Sequence, residues 1–433
     1  MTPAFHITGL VTAVILAAFI IAPMTAPALV PAAMGLLGLW HVARRRTPPL
    51  PALSLLLVAS LATGLFLLAN SLWSLSPGSA RAVVALYFVL VLGALATVVA
   101  LRAQTTGALF AISVGICIGA SVGTAFLCFE LLTSQAIRRT IMSFVPTIRA
   151  KVPEVQVTGD WVTAMPGYLL NRNAAALALC LWPMLLLTRH SFPRCKPLFF
   201  CVAAVAAATV MVSDHETSKL ALAGGAVAFA VSWFSLPAGR ALMIAGWTAA
   251  TMLVVPLSAL AYSQQMYQAA WLPESARHRV IIWSYVAEQV ARAPILGVGV
   301  NSTRPLSAKA RDAAEVAPGS KYLRITTSHS HNVYLQAWYE TGAIGATLLF
   351  TLGLLLLASL KSAPARAQPY AYATFATAAF VAGSSFSLWA MWLMAAFALA
   401  ALLVAVGIVL AERSDRAAAG SWPPLTLSEG ISA

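Results

Sequence analysis

The chain has 433 residues, 60% of them hydrophobic and 9% charged, with a mean hydropathy of +0.83 and a formal net charge of +14. Soluble domains carry about 25% charged residues, so composition excludes an ordinary soluble fold. The positive charge comes with no RNA- or DNA-binding motif; no nucleic-acid partner is expected, and topogenic charge or an anionic lipid or phosphate ligand must account for it.

Twelve apolar segments are predicted, at roughly 7–24, 28–43, 51–74, 82–101, 106–130, 170–188, 197–213, 220–236, 241–262, 333–360, 370–387 and 390–411. Their lengths lie near the ~17–25 residues that cross a bilayer. The Gly and Pro residues inside some of them are tolerated in membrane helices. The first segment lacks a basic leader and a small-residue cleavage site followed by a soluble domain, so it reads as a retained helix. The expectation is an all-α polytopic membrane protein with about 12 transmembrane helices. Residues 1–411 would form one membrane domain and 412–433 a cytoplasmic tail. Cys117, Cys128, Cys180, Cys195 and Cys201 lie in or beside apolar blocks, which suits small buried hydrophobes rather than disulfides or zinc ligands.

Charge placement supports this order. With a cytoplasmic N-terminus, the inner turns carry Arg44 to Arg46, Arg102, Arg189 with Arg194 and Lys196, Arg240, and Lys361 with Arg366, and the tail adds Arg413 and Arg416. The short outer turns hold only Arg81 and Lys219. The positive-inside rule then places both termini in the cytoplasm. Two long connections, 131–169 and 263–332, fall outside, in the periplasm of a Gram-negative cell. The first carries Arg138, Arg139, Arg149 and Lys151. The second carries Arg277, Arg279, Arg292, Arg304, Lys309, Arg311, Lys321 and Arg324. Long loops cross regardless of charge, so this excess asks for another reason: a polyanion site on the outer face, or loops resting on anionic headgroups.

Within the second loop, Ser275 to Pro294 (SARHRVIIWSYVAEQVARAP) reads as a helix, capped by Ser275 and stopped by Pro294. Arg279, Trp283, Val286 and Val290 share one stripe, suiting a helix in the interface. The following ILGVGVNS places Gly297 and Gly299 where a tight turn can form.

The external face offers few acids and no D-x-D or D-D pair to hold a metal beside a diphosphate, so Arg and Lys are expected to neutralise phosphate instead. His329 and His331 could share a metal only in a bent loop, and no metal or other cofactor is expected. His331 suits a general base because an unperturbed histidine titrates near pH ~6.5; a structural interfacial histidine is the alternative. Lys219, at an external helix start, would snorkel or hold a phosphate.

These residues together resemble the O-antigen ligase and polymerase superfamily of membrane glycosyltransferases. HNVYLQAWYETGAIG matches that family's His-[Asn/Ser/Gln], nine residues, Gly-x-x-Gly at His331, Asn332, Gly342 and Gly345. RVIIWSYVAEQVARAPILGVGV is similar to its Arg-x-x-x-Trp helix running into a Pro-x-x-Gly-x-Gly turn. The large external loop before the His motif is the third likeness, and the resemblance covers about 160–350. It implies a GT-C-type helical fold and transfer, without metal, of a glycan from undecaprenyl diphosphate to an acceptor hydroxyl at the periplasmic face of the bacterial inner membrane. The acceptor is lipid A-core in ligases and a second carrier-linked repeat unit in polymerases.

By the same resemblance His331 is the base or acceptor-positioning histidine for inversion, and Arg279 binds the diphosphate leaving group. Lys219 stands beside Ser218 where the family has Ser-Arg-Gly, and lysine lacks the guanidinium fork. Arg172, Arg277, Asn332 and Glu340 complete the candidate substrate-binding set, Glu340 either orienting His331 or an arginine or pairing near the interface. A ligase is favoured over a polymerase. A polysaccharide transporter is disfavoured because the apolar segments are nearly free of charge, and a membrane scaffold is the last alternative. Relatives that glycosylate proteins usually carry a larger C-terminal domain.

Overall fold

The computed structural model describes residues 3–43, 54–150, 152, 154–191 and 196–418. Seventeen α-helices occur among them: α1 (Pro3–Ile21), α2 (Ala26–Ala43), α3 (Leu55–Asn70), α4 (Pro77–Ala103), α5 (Thr106–Leu132), α6 (Ala136–Phe144), α7 (Pro146–Arg149), α8 (Asn171–Ser191), α9 (Lys196–Val212), α10 (Glu216–Phe234), α11 (Leu236–Met252), α12 (Val254–Ser263), α13 (Glu274–Val290), α14 (Thr303–Ala310), α15 (Val333–Leu360), α16 (Gln368–Ser384) and α17 (Met391–Ala418). A two-stranded antiparallel hairpin, β1 (Gln156–Thr158) and β2 (Trp161–Ala164), is a small addition to the all-α expectation.

Each predicted apolar segment coincides with helix, yet among the described residues seven helices are long and apolar enough to cross a membrane by length and composition, or nine if two bent pairs each count as one span. The expectation of twelve overcounts this set. α9 and α16 have 17 residues each, about 26 Å of helix against a hydrocarbon core of ~30 Å. α1 and α2 meet at a 118° bend and α11 and α12 at a 67° bend. Proline accounts for both breaks: Pro23 follows α1, and Pro256 sits in the first turn of α12, where its ring cannot continue the helix before it.

α8 is the central helix. Ala174 to Cys180 are buried at every position, so neighbours cover it on all sides. α5 lies along α1 through Gly115, Gly119 and Gly123, whose missing side chains let the α1 backbone come close. Pairings fix the helix directions: α1 and α5 run parallel, while α16 runs antiparallel to α10 and α15.

The two ends of the bundle differ in chemistry. At one end Arg413 donates to the carbonyls of Arg102 and Gln104, Arg366 pairs with Asp415, and Arg189 and Arg240 reach Tyr370 and Tyr372. α17 therefore continues through the start of the expected 412–433 tail to Ala418, held by those pairs; residues 419–433 lie outside the described residues. Arg44 to Arg46, Lys151, Arg194 and Cys195 also lie outside the described residues, while Cys117, Cys128, Cys180 and Cys201 are free thiols. At the other end stand the connections 131–169 and 263–332 with the histidines.

α13 fills the predicted loop helix but begins at Glu274, with Pro273 rather than Ser275 at its cap. The ring-fixed φ of Pro273, −54°, sets up the first turn, and Ser275 falls inside it. The helix ends at Val290, before Pro294.

Candidate active site at the loop-bearing end

The polar entry to α15 is built by a short loop. His331 has φ +55°, the left-handed region, where histidine is among the more tolerated non-glycine residues. Asn332 then caps the helix, its Oδ1 accepting from Leu335 N at 3.0 Å. Ser330 donates to the carbonyl of Asn332 at 2.7 Å, and Trp283 Nε1 donates to the carbonyl of Ser330 at 3.0 Å. That last bond gives the Arg-x-x-x-Trp spacing a physical meaning. Residues four apart share a helix face, so the Trp283 that holds the histidine loop also sets Arg279, one turn away on α13, toward it.

Carbonyls decide the ring orientation. His331 Nδ1 lies 3.0 Å from the carbonyl oxygen of Ser385, and His329 Nε2 lies 3.3 Å from the same atom. A carbonyl only accepts, so His331 carries its proton on Nδ1 and its lone pair on Nε2. Thr327 Oγ1 lies 3.2 Å from that Nε2. The His329 and His331 rings stand 4.1 Å apart, and a third histidine, His215, reaches the Ser385 hydroxyl through Nε2 at 2.7 Å.

Positive charge dominates the electrostatics, with Glu274 opposing it only at His278. Burial, then His329 and Arg279, push His331 down to about 3. Burial and then Arg279 push His215 to about 4. His329 is lowered by burial and, less, by Arg279 and Arg172, while its bond to Ser385 opposes the shift. His278 is lowered by burial and Arg279, and stacks on Tyr322. Burial lowers Arg279 itself. Among the described residues no acid forms an ion pair with Arg279, and none hydrogen-bonds His331. An anion is the ligand such a cluster would stabilise.

Of the expected site residues, His331, Arg279 and Arg172 share this environment. Lys219 is ion-paired with Glu216 at 2.7 Å. Arg277 points elsewhere, acting on Glu274 and Tyr322, and its buried Nε has no partner. Asn332 has its Oδ1 in the cap.

Glu340 hydrogen-bonds neither His331 nor an arginine. Fully buried, it accepts from Asn301 N at 2.5 Å, Thr303 N at 2.9 Å, Gln336 Nε2 at 3.2 Å, the Thr303 hydroxyl and Trp389 Nε1. It anchors the turn that follows α13.

The two glycine motifs are halves of one joint. α15 breaks at Gly342, with φ +63° and ψ −166°. There Ala343 N and Ile344 N donate to the carbonyls of Pro294 and Ile295, while Val298 N and Gly299 N donate to those of Tyr339 and Glu340. A Cβ on Gly342 would overlap the Ile295 carbonyl, and one on Gly297 would overlap the Glu340 backbone. Asn70 clamps the far side, donating to Leu296 O and accepting from Val300 N, both at 2.7 Å.

Sequence reasoning had not joined His215, Ser385 or Thr327 to the site. A weak signal existed for Ser385, which follows Gly383 and Ser384 at the end of an apolar run. Among the described residues no group of three His, Cys, Asp or Glu side chains is arranged to hold a metal.

Residues 168–350 match the sequence model of the O-antigen ligase family, a span containing His215, Arg279, His331 and the glycine joint. This match and the relatives below support the O-antigen ligase superfamily as the class of this chain. A protein of Rickettsia bellii, provisionally named a polysaccharide ligase, is 27% identical over 187 residues, 43% of this chain and 45% of the relative. One of Rickettsia conorii with the same provisional name is 25% identical over 236 residues, 54% of this chain and 56% of the relative. The chain thus matches about half the length of these curated relatives.

Proposed function

We propose that this multi-pass membrane protein is an O-antigen ligase that moves a glycan from undecaprenyl diphosphate to a hydroxyl of lipid A-core. The reaction runs at the periplasmic face of the bacterial inner membrane, in a GT-C-type fold with both termini cytoplasmic, as the sequence expectation has it. One observation carries this reading: Arg279, with no acid ion-paired to it among the described residues, stands by a histidine whose Nδ1 is committed to a carbonyl and whose Nε2 keeps its lone pair.

The donor diphosphate binds beside Arg279, with Arg172 on the His329 side. Burial is the main cause that depresses His331 and the nearby cations add to it; the negative charge of the diphosphate offsets that second part and raises the basicity of the imidazole. The acceptor hydroxyl takes the place of Thr327 Oγ1 at Nε2. Its oxygen attacks the anomeric carbon from the face opposite the diphosphate. The carbon–oxygen bond to phosphate breaks and its electron pair leaves on the diphosphate. The hydroxyl proton passes to His331 Nε2, and the Ser385 carbonyl stabilises the imidazolium through Nδ1–H. Fixed cations act where charge grows, on the leaving phosphate.

The test uses purified protein with a lipid-linked glycan and lipid A-core. Ligated product is expected, and His331→Ala should reduce it by about 10²- to 10⁴-fold at unchanged folding. Chain extension of the lipid-linked glycan without ligation would instead make the protein a polymerase. Transfer by His331→Ala at near wild-type rate would remove the base from the mechanism.

A further inference from the structure

Ser385 joins His215 to His329 and His331, a pair distant from it in the chain. Its carbonyl oxygen receives His331 Nδ1 and His329 Nε2, and its hydroxyl meets His215 Nε2. That carbonyl is not held by helix geometry, because Ser385 closes α16 with φ −132° and ψ −57°. The start of α10 holds it instead. His215 bonds the Ser385 hydroxyl, and Thr217 Oγ1 lies 3.1 Å from Ser384 Oγ.

His215 is itself fixed at both ring nitrogens. Nδ1 lies 2.6 Å from Ser218 Oγ, the ring is buried, and it packs on Phe386 at 5.4 Å between centroids. A space-filling residue would need neither nitrogen, whereas this ring uses both, and the atom at its far end belongs to the residue that orients His331.

We propose that His215 is a positioning residue for glycan transfer. It acts through the Ser385 hydroxyl to hold the carbonyl that keeps His331 protonated on Nδ1 and basic on Nε2. The proposal rests on the reading of His331 as the base. Its chemistry is orientation: no proton leaves His215, and no bond of the substrate touches it.

The test compares wild type, His215→Ala, His215→Gln, Ser385→Ala and the His215→Ala/Ser385→Ala double variant in two measurements. The first is kcat and KM for the lipid-linked donor. The second is the rate at which diethyl pyrocarbonate modifies His331, resolved by mass spectrometry, which needs no substrate. His215→Ala should lower kcat by about 10- to 100-fold with KM within about threefold, and change the His331 modification rate severalfold. His215→Gln, which can still bond the Ser385 hydroxyl, should recover most of both. Ser385→Ala keeps the carbonyl but not its tether. It should therefore resemble His215→Ala, and the double variant should be no worse than the more damaged single.

Losses that multiply in the double variant would overturn the link. So would a His215→Ala protein whose kcat and His331 modification both stay within about twofold of wild type. Should His215→Ala not fold, Ser385→Ala, the smaller change, carries both measurements. If wild type transfers no glycan while His331 modification still responds to His215→Ala, the transferase reading fails and the structural link stands.

Discussion

The two long connections at the loop-bearing end share a basic composition and use it in opposite ways. In 131–169, arginines face the protein. Arg138 bonds Leu169 O and Asn173 Oδ1 and pairs with buried Glu130, and Arg139 bonds the carbonyls of Thr133 and Thr163. The apolar residues of that connection, Ile137, Ile141, Phe144 and Trp161, are the exposed ones. In 263–332 Lys321 and Arg324 are likewise ion-paired, with Glu274 and Glu288, and Trp271, Ile295 and Val316 are exposed; the difference lies at α13. Val280, Ile281, Ile282, Val286 and Val290 are buried, and Arg279 stands among histidines without a carboxylate. Charge satisfied internally holds a loop in place, whereas a cation with no acid paired to it keeps its capacity to bind an anion.

Glycine gives the sharpest test of this difference, and the largest expected effect. Gly342 and Gly159 have nearly the same φ, +63° and +61°. Around Gly342 the 294–299 turn leaves no room for a Cβ, while nothing lies near Gly159. Gly342→Ala should therefore cost about 4 kcal/mol or more, and Gly159→Ala only about 1 kcal/mol, the left-handed penalty alone. Equal shifts in unfolding midpoint would break the comparison.

The arginines come next. Arg279→Ala should lower transfer by about 10²-fold or more and leave stability unchanged or slightly raised, since it removes a half-buried cation that has no ion-pair partner among the described residues. Arg138→Ala should cost about 3 kcal/mol by stranding the Glu130 carboxylate, with the smaller effect on chemistry. Turnover and thermal unfolding measured on both variants decide this, and a reversal of the two effects would place the substrate site in the first connection.

Acid provides the mildest probe. The folded protein holds His215 near 4 and His331 near 3 and lowers His329, whereas an unfolded histidine titrates near ~6.5. Between those values the unfolded chain binds more protons. Stability from these groups is thus present above pH ~6.5 and declines as pH falls toward 4. The first connection has no histidine. Peptide-resolved hydrogen exchange should show 327–332 losing protection before 136–164 as the pH is lowered from 7 to 5, and the opposite order would count against the assignment.

Much of this was legible from residues alone. The apolar blocks foretold every long helix, because burying a helix in hydrocarbon demands a continuous run of apolar side chains. The motifs marked His331, Arg279 and the glycine positions. What the blocks did not carry was which helices are long and straight enough to span, since Pro23 and Pro256 change direction without changing composition. Roles were also misjudged where a side chain's partner is distant in sequence. Glu340 looked like a site acid and is a buried anchor for the 301–303 turn.

The sequence by itself determined that the chain is a membrane-class helical protein with two long basic connections and a histidine at the start of its longest motif. These follow from composition and local spacing. Tertiary structure alone decided that His215, His329 and His331 meet on Ser385, and that the Pro-x-x-Gly-x-Gly turn closes into the break at Gly342. Both depend on backbone carbonyls, which every residue possesses and no residue type advertises, so only the folded path of the chain reveals where they point.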